Sequence, residues 1–160
     1  MSLIRQMVLA DLPIALAINQ SNVPAVGAES AASFQELWAI SSLALVLELD
    51  EQVEGFCIIL SPETSYQSPN YLYFQERYRD FIYLDRIALS TKAQNHGFGP
   101  LLYREVEKHF QASYFTLEVN IKPPNEGSLR FHLREGFEIV AEEETRPGKV
   151  VAMMVKELDH

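Results

Sequence analysis

Short apolar stretches alternate with polar, glycine-containing or proline-containing breaks along the whole chain. Stretches rich in β-branched and aromatic residues predict strands over residues 3–9, 43–49, 53–60, 81–89, 114–120, 137–141 and 150–155. Apolar residues three or four positions apart predict helices over residues 11–20, 33–40, 99–111 and 126–135. No repeat, low-complexity tract or interdomain linker interrupts this order, so we expect a single domain over residues 1–160.

Capping residues set the expected ends of the helices. Asp11 as N-cap, with Pro13 in the first turn, starts the first helix. Ser33 is predicted to cap the second helix, with Glu36 three positions later completing a capping box. Gly136 is expected just past the last helix, where the backbone turns left-handed.

The connection over residues 61–80 is long and rich in aromatic residues. Pro62 and Pro69 interrupt regular structure, so it is predicted to be a loop. Long loops in small domains are often functional. The alternative is that its tyrosines and phenylalanines only cover the sheet, and the sequence leaves both open.

Composition and charge narrow the class of protein. Hydrophobic residues make up 48% of the 160 positions and charged residues 22%, as in ordinary globular domains. The single cysteine, Cys57, excludes an intrachain disulfide and a cysteine-based zinc site, and its apolar surroundings favour an inert thiol. A formal net charge of −9 argues against nucleic-acid binding. With no apolar run long enough for a membrane span, we expect a cytoplasmic protein.

A glycine-containing turn, Gln94-Asn95-His96-Gly97-Phe98-Gly99, follows the central strand and opens a helix. Such a turn directs free backbone N–H groups and the positive end of a helix at one point, which favours phosphate. A nucleoside triphosphate loop would end in Gly-Lys-Ser/Thr, but Pro100 and Leu101 follow here. A dinucleotide fingerprint would place a third glycine at position 102, which is leucine. The remaining pattern, Gln-x-x-Gly-x-Gly, is typical of a coenzyme A pyrophosphate loop.

Two ordered segments carry a family resemblance. Residues 84–99, and the later series from Asn125 to the Gly136-Phe137 pair, are similar to the signatures of the GCN5-related N-acetyltransferase (GNAT) family. The resemblance covers the C-terminal half, and the N-terminal half agrees in its order of elements. It implies an α+β fold with a six- to seven-stranded, mixed, mostly antiparallel sheet flanked by helices, whose central strands are parallel and splayed.

The resemblance also implies acetyl-CoA as acyl donor and no metal. The backbone of Asn95 to Gly99 would hold the pyrophosphate, and the main chain around Ile87 the pantetheine arm. The implied contacts with coenzyme A are Ile87, Ala88, Leu89, Gln94, Asn95, His96, Gly97, Phe98, Gly99, Pro100, Asn125 and Ser128. An N-cap role alone is the alternative explanation for Asn125.

Two residues are candidates for proton transfer. Asp85 is the carboxylate at the central strand where the family places its base, although pairing with a neighbouring cation would also explain it. His132 stands where the family usually has the tyrosine that protonates the departing sulfur. An imidazole can donate a proton, but a structural histidine beside Phe131 is the alternative.

The acceptor side is less specific. In the resembling family, the region of residues 19–29 and that of residues 66–78 wall the acceptor pocket, so Asn22, Glu29, Tyr73 and Phe74 are candidate contacts. We expect direct transfer of an acetyl group to a primary amine of a small molecule or peptide. A non-catalytic acyl-CoA sensor or regulatory module and another acyl group stay open as alternatives, as does a homodimer, since dimers are common in that family.

Overall fold

Seven β-strands, five α-helices and a short 3-10 helix make up the computed structural model, which describes residues 1–160. The elements are β1 Ser2–Gln6, the 3-10 helix Leu9–Asp11, α1 Leu12–Ser21, α2 Ala31–Ile40, β2 Leu43–Leu49, β3 Gln52–Leu60, α3 Pro69–Arg77, β4 Phe81–Leu89, α4 Phe98–His109, β5 Tyr114–Lys122, α5 Glu126–Arg134, β6 Glu138–Arg146 and β7 Lys149–Glu157. The sheet order is β1-β2-β3-β4-β5-β7-β6, with β4 and β5 parallel and antiparallel pairing at both ends of the sheet. The predicted α+β fold is confirmed.

The chain divides into two compact units. Residues 1–60 and 84–110 form the first, which contains β1 to β3, α1, α2, α4 and most of β4. Its core includes Phe34 of α2 packed edge-to-face on Phe56 of β3, with ring centroids 5.4 Å apart. Residues 61–83 and 111–160 form the second. Its core includes the Phe115 and Phe137 rings, 5.2 Å apart.

The parallel pairing of the central strands is short. It joins Phe81–Tyr83 to Tyr114–Thr116, whereas β4 extends to Leu89 and β5 to Lys122. The buried hydroxyl of Thr116 reinforces it by donating to the Ile82 carbonyl at 3.0 Å. Pairing limited to the first three residues of each strand agrees with the expected splaying.

The start of α2 differs from the prediction. Ser30, not Ser33, is the N-cap: its hydroxyl accepts from the Ser33 N–H at 3.0 Å, and the Ser33 hydroxyl accepts from the Ser30 N–H at 2.9 Å. A capping box therefore forms three residues earlier than expected, because the alanines at 31 and 32 are good helix formers.

The predicted loop over residues 61–80 contains α3. Pro69 lies in its first turn, where its fixed φ and missing N–H are tolerated, so this proline starts a helix rather than breaking structure. Tyr71 and Phe74, three positions apart, are both fully buried, and their rings lie 5.5 and 6.0 Å from that of Tyr83. For these two side chains the second alternative, covering the sheet, is correct.

Two strands, β1 and β6, differ most from their predicted bounds. β1 ends at Gln6 because Asp11 accepts a hydrogen bond from the Val8 N–H at 2.8 Å and shapes a 3-10 turn. β6 continues to Arg146, beyond the predicted end at 141. Three consecutive glutamates in β6 lack the apolar pattern from which strands are predicted. The strand lies at the edge of the sheet and pairs with β7.

A glycine in β3 allows the end of β4 to approach closely. A Cβ at Gly55 would lie 2.5 Å from Leu89 Cδ2 and 3.2 Å from the Ala88 carbonyl oxygen. Beside it, the Ser90 N–H donates to the Glu54 carbonyl at 2.7 Å. The position of the β4 end, and of the turn that follows it, therefore depends on the absence of a side chain at residue 55.

We predict that Gly55→Ala lowers the free energy of unfolding by about 1–3 kcal/mol, since the added methyl group overpacks this contact. Urea denaturation measures the change. Gly27→Ala is the matched control, because no atom lies within 4 Å of a Cβ built there. Equal midpoints for Gly55→Ala and the wild type would show that the close approach is dispensable.

Candidate functional site

A tight turn connects β4 to α4. The N–H groups of Ala93 and Gln94 donate to the Ser90 carbonyl at 3.0 and 3.1 Å. The Gln94 side-chain amide donates to the Leu89 carbonyl at 3.0 Å, and Ala93 is fully buried. Gln94, expected to contact coenzyme A, thus uses its backbone N–H and its side-chain amide to hold the turn against β4.

The second half of the turn opens the helix. Asn95 and Gly97 have φ values of +64° and +79°, in the left-handed region. Gly97 is the N-cap of α4 and no side-chain hydrogen bond caps the helix. The first-turn N–H groups of Phe98 and Gly99 have no acceptor within the helix itself, and Pro100 has no N–H. No atom lies within 4 Å of a Cβ built on Gly97. These residues fit an anionic group such as a pyrophosphate.

An open groove of about 410 Å³ adjoins the turn, and its lining includes Lys92, His96 and Phe98. On its far side, the terminal ammonium of Met1 lies 3.0 Å from the Asp50 carboxylate. This hydrogen bond lowers the pKa of Asp50. The cationic side chain of Lys92 therefore lies in a groove next to the uncapped helix end.

The carbonyl of Leu89, the last residue of β4, accepts two side-chain hydrogen bonds. Besides Gln94, the Asn22 amide donates to it at 3.1 Å and also donates to the Ile18 carbonyl at 2.9 Å. Asn22, predicted to contact the acceptor, thus ties the connection between α1 and α2 to the end of β4. The Leu89 carbonyl has both lone pairs in use within the chain.

A buried cation lies between β4 and that connection. The Arg86 guanidinium donates to Asp85 at 2.7 Å, and to the Asn19 side chain and the Gly27 carbonyl at 2.9 and 3.0 Å. Its Nη2 lies 3.6 Å from Glu29 Oε1. The side chains of Arg86 and Asp85 are 7% and 4% exposed, so the alternative of an ion pair holds for Asp85.

Glu29 is the outer carboxylate of this cluster, with its side chain 19% exposed. Burial raises its pKa, and repulsion from Asp85 adds to that effect. The charge of Arg86 and a hydrogen bond from Ser33 act in the opposite direction. Burial is the largest of these effects, so Glu29 holds a proton more readily than an ordinary glutamate.

The start of α5 carries two of the expected cofactor contacts. Asn125 is its N-cap and accepts from the Ser128 N–H at 3.3 Å. The Ser128 hydroxyl lies 3.3 Å from His132 Nδ1. The N-cap role considered for Asn125 is therefore present, and Ser128 is linked to the histidine one turn later.

His132 is buried and 5% exposed. Its ring packs edge-to-face on Phe131 and Phe137, at centroid distances of 4.9 and 5.5 Å. Nδ1 lies 2.8 Å from the Ser128 carbonyl oxygen, which can only accept, so Nδ1 carries the proton. Burial lowers the pKa of His132, which favours a neutral ring with its lone pair on Nε2.

The two aromatic acceptor candidates on α3 differ in exposure. Tyr73 lines a groove of about 400 Å³. The Arg77 guanidinium stacks over its ring, 3.9 Å from the ring centroid. Glu76 and Glu143 also line that groove. Phe74 is fully buried, so it offers no surface to an acceptor.

Sequence reasoning missed two polar contacts in the sheet. The first is the set of contacts made by Arg86, whose signal in the sequence is a charged residue inside an apolar strand. The second is a hydrogen bond of 2.5 Å from the Tyr83 hydroxyl to Glu118 on β5. No local pattern links these two, because 35 positions separate them.

Several solved structures with the same fold are named as acetyltransferases. The chain aligns with the ribosomal-protein-S18-alanine N-acetyltransferase from Escherichia coli at a TM-score of 0.76 and 20% identity, covering 100% of this chain and 96% of that one. It aligns with the ribosomal-protein-alanine N-acetyltransferase from Brucella melitensis at a TM-score of 0.73 and 22% identity, covering 98% of this chain and 99% of that one. It aligns with Ard1 from Thermoplasma volcanium at a TM-score of 0.80 and 16% identity, covering 99% of each chain. At these identities the likeness concerns the fold alone.

Sequence comparisons locate the family. No curated protein sequence matches the chain significantly. None of the helices has the length and apolar character needed to cross a membrane. The model of the acetyltransferase (GNAT) family matches residues 15–137, which include the β4–α4 turn and α5. The chain therefore belongs to the GNAT acetyltransferase family, whose general activity is acyl transfer.

Proposed function

We propose that this protein transfers an acetyl group from acetyl-CoA to a primary amine, by direct attack within a ternary complex. The observation that carries the proposal is the uncapped, glycine-opened start of α4 directly after β4, in a member of an acetyltransferase family. Cys57 is fully buried, and burial raises its pKa to about 12, which argues against an acyl-cysteine route.

Acetyl-CoA supplies a thioester carbonyl and a thiolate leaving group. The backbone N–H groups of residues 95–99 hold the pyrophosphate, helped by the helix dipole. The main chain of Ile87 and the N–H of Leu89 bond the pantetheine arm as an added strand would. We also propose that Asn125 and Ser128 contact the pantetheine arm, and the support for these two contacts is the family resemblance.

The acceptor amine loses a proton as its nitrogen bonds the acetyl carbon and the carbon–sulfur bond breaks. Asp85 takes that proton through the oxygen that is not bonded to Arg86, and the departing thiolate takes a proton from solvent. Glu29 and Tyr73 are the proposed acceptor contacts that retain exposed surface, and Asn22 ties the connection that carries Glu29 to the end of β4. Two of the similar structures are named as ribosomal-protein alanine N-acetyltransferases, and the amino group of an alanine is one form of primary amine.

A second candidate function is a non-catalytic acyl-CoA-binding module. It is favoured by His132, which stands at the family's usual tyrosine and is held as a neutral ring with the Nδ1 proton bonded to Ser128. Such a ring protonates a leaving thiolate only after gaining a second proton. The two functions share the donor site and differ in turnover.

Isothermal titration with acetyl-CoA, followed by thiol release with a panel of alkylamines, arylamines and amino-terminal peptides, separates the candidates. We expect binding, with turnover on at least one amine. Binding without turnover on any member of the panel would favour the module. A folded protein that does not bind acetyl-CoA would overturn both.

Gly97→Ala is predicted to weaken acetyl-CoA binding by about tenfold or more, because its methyl group enters the space in front of the uncapped N–H groups. Gly148→Ala is a matched control, since both glycines have φ of +79° and nothing within 4 Å of a built Cβ. Both variants should lose similar stability, about 1–2 kcal/mol, from the left-handed backbone. Equal dissociation constants for the two variants, measured by calorimetry, would remove the turn from the donor site.

His132 is predicted to make folding stability depend on pH. Its folded pKa is lowered, so its contribution is complete above the unfolded pKa near 6.5 and is lost as the pH falls toward the folded value. Urea unfolding between pH 8 and pH 5.5 should show a smaller loss of stability for His132→Phe than for the wild type. Parallel pH profiles for the two proteins would contradict the neutral, buried imidazole.

A further inference from the structure

Arg86 is an unusual residue for the inside of an apolar strand. Burying a guanidinium is costly unless its charge and its donors are matched. Here the partners come from β4 itself, through Asp85, and from residues that are distant in sequence, through Asn19, Gly27 and Glu29. One buried cation therefore fastens the end of α1 and the following connection to β4.

The segment from Asn22 to Ser30, called here the α1–α2 connection, has two further ties. Asn22 bonds the Leu89 carbonyl, and the Glu29 N–H donates to the Gln20 side chain at 3.1 Å. Asn19, which is fully buried, also donates to the Gly27 carbonyl at 3.0 Å. The backbone leading up to Glu29 is thus held, which restricts where the Glu29 carboxylate can lie.

The charges of the cluster are unequal. Two carboxylates, Asp85 and Glu29, face one guanidinium, and Ser33 of α2 adds only a hydroxyl. Asp85 is hydrogen-bonded to Arg86 at 2.7 Å, whereas Glu29 is 3.6 Å away and more exposed. Glu29 is therefore the carboxylate that Arg86 binds less closely, and it lies at the edge of the cluster.

We propose that Arg86 is a positioning residue for the acceptor, holding Glu29 beside Asp85 so that the Glu29 carboxylate binds the amine as an ammonium ion. The bound ammonium ion releases one proton to solvent before its neutral nitrogen attacks the thioester. This inference rests on the proposed function and makes its acceptor more specific. Alkylamines, which are protonated at neutral pH, are the acceptors of this site, and arylamines, which are neutral there, are not.

Arg86→Lys tests the positioning role, because a compact ammonium keeps the charge but cannot reproduce the forked contacts of a guanidinium. We expect the KM for an alkylamine to rise about tenfold or more, with the KM for acetyl-CoA unchanged. Glu29→Gln should raise the same KM, and the double variant should be no worse than the more impaired single variant, since both act on one contact.

Arg5→Lys is the matched control. Arg5 also joins two carboxylates, Asp11 at 2.8 Å and Glu48, but it connects β1 to its neighbours and makes none of the β4 contacts. It should leave the KM for the alkylamine unchanged. An equal effect of Arg5→Lys and Arg86→Lys, or wild-type kinetics for Glu29→Gln, would overturn the proposal.

A binding measurement separates failure of this inference from failure of the proposed function. Propylammonium is titrated into the protein with coenzyme A present, and NMR follows the backbone amides of residues 27–30. Shifts in the wild type that disappear in Glu29→Gln support the inference, even if Arg86→Lys does not fold or no turnover is found. Absence of shifts overturns it, and transfer to arylamines alone would overturn it while leaving acetyl transfer intact.

Discussion

The position of the end of β4 controls the rest of the first unit. Gly55 allows Leu89 to lie against β3, because any Cβ there would be 2.5 Å from the leucine side chain. The Glu54 carbonyl then binds the Ser90 N–H, and the Leu89 carbonyl accepts from Asn22 and Gln94. One close backbone approach thus places the phosphate-binding turn after the strand and the α1–α2 connection beside it.

In the proposed function, β4 contributes to two different sites, one for the acyl donor and one for the acceptor. Its last residue leads into an uncapped helix end suited to an anion, while Arg86 gathers carboxylates suited to a cation. Main-chain geometry produces the first feature and side-chain charge the second. The net charge of −9 is compatible with the proposed anionic donor, since the proposed donor site uses backbone N–H groups rather than basic side chains.

Features encoded locally could be read from the sequence. The bounds of β4, the glycine turn and the end of α5 at Gly136 each depend on neighbouring residues, and the structure has β4 at the predicted positions and Gly136 at φ of +99°. Features that depend on distant contacts could not. Helix α3 is stabilised by rings on β4, and the partners of Arg86 lie up to 67 positions away, so neither leaves a periodic signal. His132 illustrates the difference, because its place in the motif was evident but its neutral, buried state was not.

Binding of coenzyme A at the β4–α4 turn is the central claim, and amide chemical-shift mapping tests it most directly. Titrating coenzyme A into the isotopically labelled protein should shift the backbone N–H signals of residues 95–99 more than that of Gly148 in the β6–β7 turn. Saturable binding of coenzyme A without shifts at residues 95–99 would contradict the account.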